Sequence, residues 1–199
     1  MERSEESDAV FIPLTIDARW TLFLDRDGVI NQRLPGAYVK DWQAFQFCPG
    51  SLAALVDLSA IFSRIIVVTN QQGVGKGLMS AAQVEAIHQQ LTTVVQVNGG
   101  RIDAIYYCPE LASQQSQCRK PHPVMAWQAQ RDFPAIDFQH SLMVGDSISD
   151  MEFAFGLGMK TVFIKGKTEE AIRSQDLSVD YRLNSLSELR NCLSFSPLS

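Results

Sequence analysis

The sequence predicts an α/β fold, a Rossmann-like parallel sheet with helices on both faces. Three observations carry this. Short apolar runs rich in β-branched residues alternate with segments whose apolar residues recur at helical spacing. Several of the short runs are apolar throughout, as strands buried on both faces are. No internal repeat or low-complexity segment interrupts the alternation, which is the pattern of βα units wound into one parallel sheet.

Residues 1–18 read as a charged N-terminal tail and residues 19–199 as a single domain. Residues 20–24 form the first strand, Asp25 and Asp27 follow where its apolar run stops, and Gly28 allows a sharp turn. Residues 31–49, with Pro35, Gly36, Tyr38, Trp42, Phe45, Phe47 and Pro49, read as an irregular loop with enough apolar anchors to be ordered. Pro49 and Gly50 open a helix whose apolar face is Leu52, Leu55, Val56 and Leu58. Residues 64–70 are a central strand. Ser80 and Gln83 make a capping-box signature ahead of Val84, Ile87, Leu91 and Val94, and Asn98-Gly99-Gly100 stops that helix. Residues 102–107 are the third strand, 108–119 a polar loop, and Pro121 and Pro123 mark the next helix start. Residues 141–145 are the fourth strand, closed by Asp146, and 147–156 a helix. Residues 161–164 are the fifth strand, and Ser185 with Glu188 caps a last helix through Leu186, Leu189 and Leu193.

Composition narrows the function classes. At 199 residues, 46% apolar and 20% charged, the chain can bury a core without staples. A net charge of −5 provides no basic footprint for nucleic acid. No apolar run reaches the ~18 residues of a membrane span, and the acidic start (Glu2, Glu5, Glu6, Asp8) is unlike a signal peptide. The cysteines Cys48, Cys108, Cys118 and Cys192 show no C-x-x-C spacing and suit a reducing compartment. A cytoplasmic, monomeric protein with a small-molecule partner is expected.

Four strand ends or following loops offer Asp25 with Asp27, Thr69, Lys120, and Asp146 with Asp150. In a doubly wound sheet these converge on one crevice. Each has a plain structural reading alone, as turn, strand end, surface charge or helix cap. Together, clustered carboxylates would repel unless a cation sat among them, and an all-oxygen set suits Mg²⁺. A lysine and a hydroxyl beside such a metal suggest a phosphoryl group as the third party. On an extended chain residues i and i+2 face the same way, so both aspartates of the pair can address that group.

The order Asp-x-Asp-Gly, Thr-Asn, Lys, Gly-Asp-x-x-x-Asp resembles the haloacid-dehalogenase-like (HAD) phosphatase superfamily over residues 20–166. The resemblance implies that Asp25 is the nucleophile, forming an aspartyl-phosphate, and Asp27 the general acid and base. It implies Mg²⁺ on Asp25, the backbone carbonyl of Asp27 and Asp146, with Asp150 reaching the metal through water or steadying Lys120. Thr69 and Lys120 would hold the phosphoryl group. Predicted elements fill the intervals from Asp25 to Thr69 and from Thr69 to Lys120, which leaves no room for a cap domain.

The longer runs Leu24-Asp25-Arg26-Asp27-Gly28-Val29-Ile30-Asn31, Val67-Val68-Thr69-Asn70-Gln71-Gln72-Gly73 and Cys118-Arg119-Lys120-Pro121 are similar to the capless heptose-bisphosphate and histidinol-phosphate phosphatases. Val74-Gly75-Lys76-Gly77 and Tyr106-Tyr107-Cys108-Pro109 favour the heptose branch. By that resemblance Arg33, Gly36, Asn70, Gln71, Gln72 and Arg119 contact the sugar phosphate. The branch often carries a structural zinc in the loop before the lysine. Here Glu110 and Ser116 replace two of the four ligands, beside Cys108 and Cys118, so zinc is not expected. A Cys108–Cys118 disulfide is not expected in a reducing compartment either. Gly73-Val74-Gly75-Lys76-Gly77 fails the phosphate-loop pattern, Lys76 reads as solvated, and His88, His122 and His140 read as structural. Histidinol phosphate or another small phosphorylated metabolite is the alternative substrate, and a phospho-accepting signalling domain the alternative from outside the enzymes.

Overall fold

The computed structural model describes residues 14–34, 36–114, 116–166 and 177–195. A short strand, β1 (Leu14–Ile16), precedes the main sheet. That sheet contains β2 (Thr21–Leu24), β3 (Arg64–Asn70), β4 (Ala104–Cys108), β5 (Ser141–Gly145), β6 (Lys160–Ile164) and β7 (Tyr181–Leu183), in the spatial order β4-β3-β2-β5-β6-β7. Every pairing in it is parallel. The chain winds outward from β2 to β4, returns to β5 on the other side of β2, and winds outward again. The order therefore reverses at β2, and the crevice opens at the C-terminal ends of β2, β3 and β5.

Side chains alternate across the sheet and build two cores. Leu22, Leu24, Ile65, Val67, Leu142 and Val144 pack against the face of Leu55 and Leu58 on α1 (Ser51–Ser59) and Val84, Ile87 and Leu91 on α2 (Ala81–Val97). Phe23, Ile66, Val68 and Met143 point to the opposite face. There they meet Met125, Ala126 and Ala129 of α3 (Val124–Asp132) and Phe153 and Ala154 of α4 (Ile148–Leu157). Fully burying each large apolar side chain stabilises the fold by about 1.5–3 kcal/mol. The expected α/β architecture, with helices on both faces and no inserted cap among the described residues, is what these elements form.

The local signals held where their chemistry was complete. Ser80 accepts from the Gln83 backbone N–H while Gln83 Oε1 accepts from Ser80 N, the expected capping box. Three readings need correction. The third strand begins at Ala104, because the Asp103 carboxylate accepts from Ile65 N and holds the chain at the sheet's entrance. The predicted last helix is a 3₁₀ turn over Leu186–Cys192: Ser185 Oγ meets Ser187 Oγ instead of a backbone N–H, and Glu188 accepts from Asn184 N. Leu193 begins a further strand, β8 (Leu193–Phe195), which pairs in parallel with β1. Residues 14–16 of the expected tail thus belong to the fold, while 1–13 lie outside the described residues.

Candidate active site

β2 ends at Leu24, and the Asp25 N–H still donates to Val144 O of β5 at 2.9 Å, so Asp25 continues the sheet into the crevice. The turn beyond it needs Gly28. Its φ is +98°, and a Cβ there would lie 1.9 Å from Asp146 Oδ2. Gly145, the last residue of β5, is likewise required: a Cβ would lie 2.2 Å from Cβ of Asp150. Small residues at two strand ends let the acidic groups approach.

Lys120 comes from the loop before α3 and is only 2% exposed. Its Nζ donates to Asp25 Oδ1 at 2.9 Å and to Val68 O at 2.6 Å, and it pairs with Asp150 Oδ1 at 2.5 Å. Asn70 clamps the same residue from β3, its Oδ1 accepting from Lys120 N at 3.1 Å. Asp150, in the first turn of α4, uses Oδ2 to accept from Ser147 N and Oγ, closing that helix's capping box. Of the two places the resemblance implied for Asp150, on the metal through water or against Lys120, the contact with Lys120 is the one these bonds make. Burial pushes Lys120 toward neutrality, but Asp150 and Asp25 outweigh it and hold its pKa above the usual value.

Burial raises the Asp25 pKa despite Lys120, and it raises that of Asp146 strongly despite Arg33. Ligand oxygens of Asp25, Asp146 and Asp150 lie within 4.8 Å of one another, all three residues buried. Hard oxygen donors whose mutual repulsion disfavours ionisation fit a divalent cation such as Mg²⁺. Arg33 marks the same spot: Nη2 donates to Asp146 Oδ1 at 2.6 Å and Nε to the Asp27 carbonyl at 3.0 Å. Its guanidinium stands where positive charge is called for. Arg33, expected on the substrate, is here bonded to the acidic cluster.

Asp27 is built differently. Burial raises its pKa, but the Arg26 charge and donors from Asn31, Gln71 and Arg26 bring it below the usual carboxylate range. Asn31 Nδ2 donates to Oδ1 at 2.9 Å and Gln71 Nε2 to Oδ2 at 2.7 Å. Gln71 also donates to Thr69 Oγ1 at 2.9 Å, joining two site residues from behind. Asn70 and Gln71 therefore spend their amides on Lys120, Asp27 and Thr69. A cleft of about 560 Å³ opens over the cluster, lined among others by Asp25, Asp27, Gly36, Thr69, Gln72 and Arg119. Arg119 Nη1 is buried with no hydrogen-bond partner, a donor available to an anion. Lys76, read as solvated, lies 5.5 Å over the Tyr38 ring at the same cleft.

The loop before Lys120 corrects one expectation: Cys108 and Cys118 form a disulfide, with Cα atoms 5.4 Å apart. The chain reverses between β4 and Lys120, which brings the two residues together. Ser116 Oγ lies 3.4 Å from Cys108 Sγ and 3.3 Å from Cys118 Sγ, and Glu110 sits at the same cluster. Sequence reasoning missed Arg26, Asn31 and Ser147 as parts of the site. The signal for Arg26 was the alternation that also paired the aspartates: the residue between them points the other way, into the fold.

A parallel sheet with buried carboxylates, a buried lysine and a hydroxyl at its switch point defines a phosphoric monoester hydrolase. The comparisons are specific. A family model of HAD-hydrolase-like proteins matches residues 117–189. The D-glycero-alpha-D-manno-heptose-1,7-bisphosphate 7-phosphatase of Mycobacterium bovis is 47% identical over 136 residues, covering 68% of this chain and 72% of that protein. The corresponding beta-named 7-phosphatase of Escherichia coli K12 is 37% identical over 179 residues, covering 84% and 90%. The crystal structure of the D,D-heptose 1,7-bisphosphate phosphatase of B. bronchiseptica, in complex with magnesium and phosphate, superposes with a TM-score of 0.78. It is 30% identical and covers 86% of this chain and 96% of that one. The chain belongs to the HAD-like hydrolases, in the family of the heptose-1,7-bisphosphate 7-phosphatases.

Proposed function

We propose that this protein is a Mg²⁺-dependent 7-phosphatase of D-glycero-D-manno-heptose 1,7-bisphosphate, acting through an aspartyl-phosphate. The observation that carries the reading is the buried Lys120, shared between Asp25 and Asp150 beside Asp146 and Thr69 at the sheet's switch point. Asp25 attacks phosphorus in line while the bond to the sugar oxygen breaks. Lys120 and Thr69 oppose the charge on the phosphoryl oxygens, and Asp27 gives its proton to the departing alkoxide. Asp27 then takes a proton from the water that attacks the aspartyl-phosphate, releasing inorganic phosphate and restoring Asp25. The bonds to Arg26 and Gln71 hold Asp27 ionised in the open cleft; a phosphate dianion entering beside it opposes Arg26 and raises its pKa, which readies the acid form. Asp25, Asp146 and the Asp27 carbonyl would hold magnesium, which when bound would supply positive charge that reduces repulsion between nucleophile and substrate.

Arg119, with its unpartnered nitrogen, and the Gly36 and Gln72 side of the cleft take the sugar and its remaining phosphate. The higher identity to alpha-named relatives makes the α anomer the first to test. We assign the protein to the cytoplasm as a monomer, although the Cys108–Cys118 disulfide is unusual for a reducing compartment. Phosphate release with Mg²⁺ should be seen on heptose 1,7-bisphosphate, more slowly on histidinol phosphate, and not with Asp25→Asn. Folded protein that turns over no member of a panel of phosphorylated metabolites, both anomers included, would refute the proposal.

A further inference from the structure

Arg26, the residue between the two aspartates, is 1% exposed and is the largest fully buried side chain of the molecule's described residues. A buried guanidinium must be held by what its nitrogens meet. Nη2 donates to both oxygens of Asp27, at 3.0 and 2.9 Å, and to Gln71 Oε1 at 3.2 Å. Nε has no partner. Nη1 lies 3.1 Å from Nε2 of His88, 62 residues away on α2. An arginine can only donate, so Nε2 accepts, and His88 is the neutral tautomer carrying its proton on Nδ1. Burial and the Arg26 charge both favour that form. The imidazole is also wedged edge-on against Tyr107 of β4, with ring centroids 5.6 Å apart.

We infer that His88 is a positioning residue for the reaction: by fixing Nη1 of Arg26 it sets the guanidinium plane that presents Nη2 to both oxygens of Asp27. All the other side-chain bonds of Arg26, to Asp27 and Gln71, are made by Nη2 alone, so His88 is the one side chain that holds the guanidinium at a second nitrogen. Losing the His88 acceptor lets the guanidinium rotate, and the Asp27 carboxyl loses the orientation in which it faces the leaving oxygen. The inference rests on the reading of Asp27 as the proton-transfer group.

The leaving group separates this role from a general loosening. A sugar or alkyl phosphate departs as a poor leaving group that needs the Asp27 proton, whereas p-nitrophenolate leaves with little help. The value of kcat/KM covers the steps through attack by Asp25 and so reports that need. His88→Met, similar in size and with only a weak thioether acceptor, should lower kcat/KM about 10–100-fold on an alkyl phosphate and less than threefold on p-nitrophenyl phosphate. His88→Gln, whose Oε1 reaches the Nε2 position, should restore both to within about threefold. If the Met variant does not fold, His88→Asn, one carbon too short to reach Nη1, should show the same selective loss. Equal losses on the two esters in a folded variant, or a Gln variant no better than Met, would overturn the inference while leaving the role of Asp27 intact. Asp27→Asn tests that role separately: if it slows both esters equally, the reading of Asp27 falls and the inference with it.

Discussion

Lys120→Met tests the electrostatic heart of the site. The ammonium is buried and is the cation that both Asp25 and Asp150 contact, at 2.9 and 2.5 Å. Met keeps the length and removes the charge, leaving two buried carboxylates beside Asp146. Breaking a buried ion pair by removing one partner costs roughly 3–5 kcal/mol, against roughly 5–15 kcal/mol of total stability for a typical domain. The sign with pH follows from linkage. Asp25 already has a folded pKa above its ordinary value, and losing Lys120 raises it further. An acid shifted upward weakens the fold above its folded pKa, and the penalty fades as pH falls through that pKa toward its unfolded value near 4. Urea unfolding in EDTA should therefore show a deficit of about 3–5 kcal/mol at pH 8 that shrinks toward pH 5. Added Mg²⁺ should raise the urea midpoint of the variant more than that of the parent, and kcat should fall roughly 100–1000-fold, as when one charge-stabilising donor is lost. A deficit under about 1 kcal/mol that does not change with pH would refute the charge argument.

Gly28→Ala should cost about 1–3 kcal/mol because φ is +98°, and should weaken Mg²⁺ binding by calorimetry because its Cβ would displace the Asp146 carboxylate. Reducing the Cys108–Cys118 bond, or Cys108→Ser, should lower stability by up to about 2.5–3 kcal/mol, from closing a loop of 10-residue separation; urea unfolding with and without reductant measures it. His88, with a folded pKa of about 3 against an ordinary value of 6.5, should make the parent lose stability as pH falls from 6.5 toward 3. The unfolded chain binds a proton there that the folded chain does not, an effect of roughly 3 kcal/mol by pH 4. Comparing urea midpoints of parent and His88→Gln across that range isolates it.

Legibility in the sequence followed the range of the cause. The apolar runs at 64–70 and 141–145 became β3 and β5 because a strand buried on both faces must be apolar along its whole length. Ser80 with Gln83 could be read because a capping box spans only four residues. The terminal elements could not: β1, β7 and β8 are three residues each, and β1 and β8 are strands by virtue of one another. Ser185 and Glu188 carried a capping signature whose partners proved to be Ser187 and Asn184.

At the site, residue types and chain order were enough to name Asp25, Asp27, Thr69, Lys120, Asp146 and Asp150, because the ends of parallel strands share one edge whatever the details of packing. Sequence also determined the α/β class and the lack of room for a cap. Which partner each group keeps was decided only in three dimensions. Arg33 could not be placed on Asp146, 113 residues away, rather than on substrate. Nor could His88 be set against Arg26 across 62 residues, while the Cys108–Cys118 bond, conceivable from the sequence, was set aside only on grounds of compartment. A motif records which groups a strand end offers, while their distances, charges and donors depend on contacts between segments whose register only the folded sheet sets.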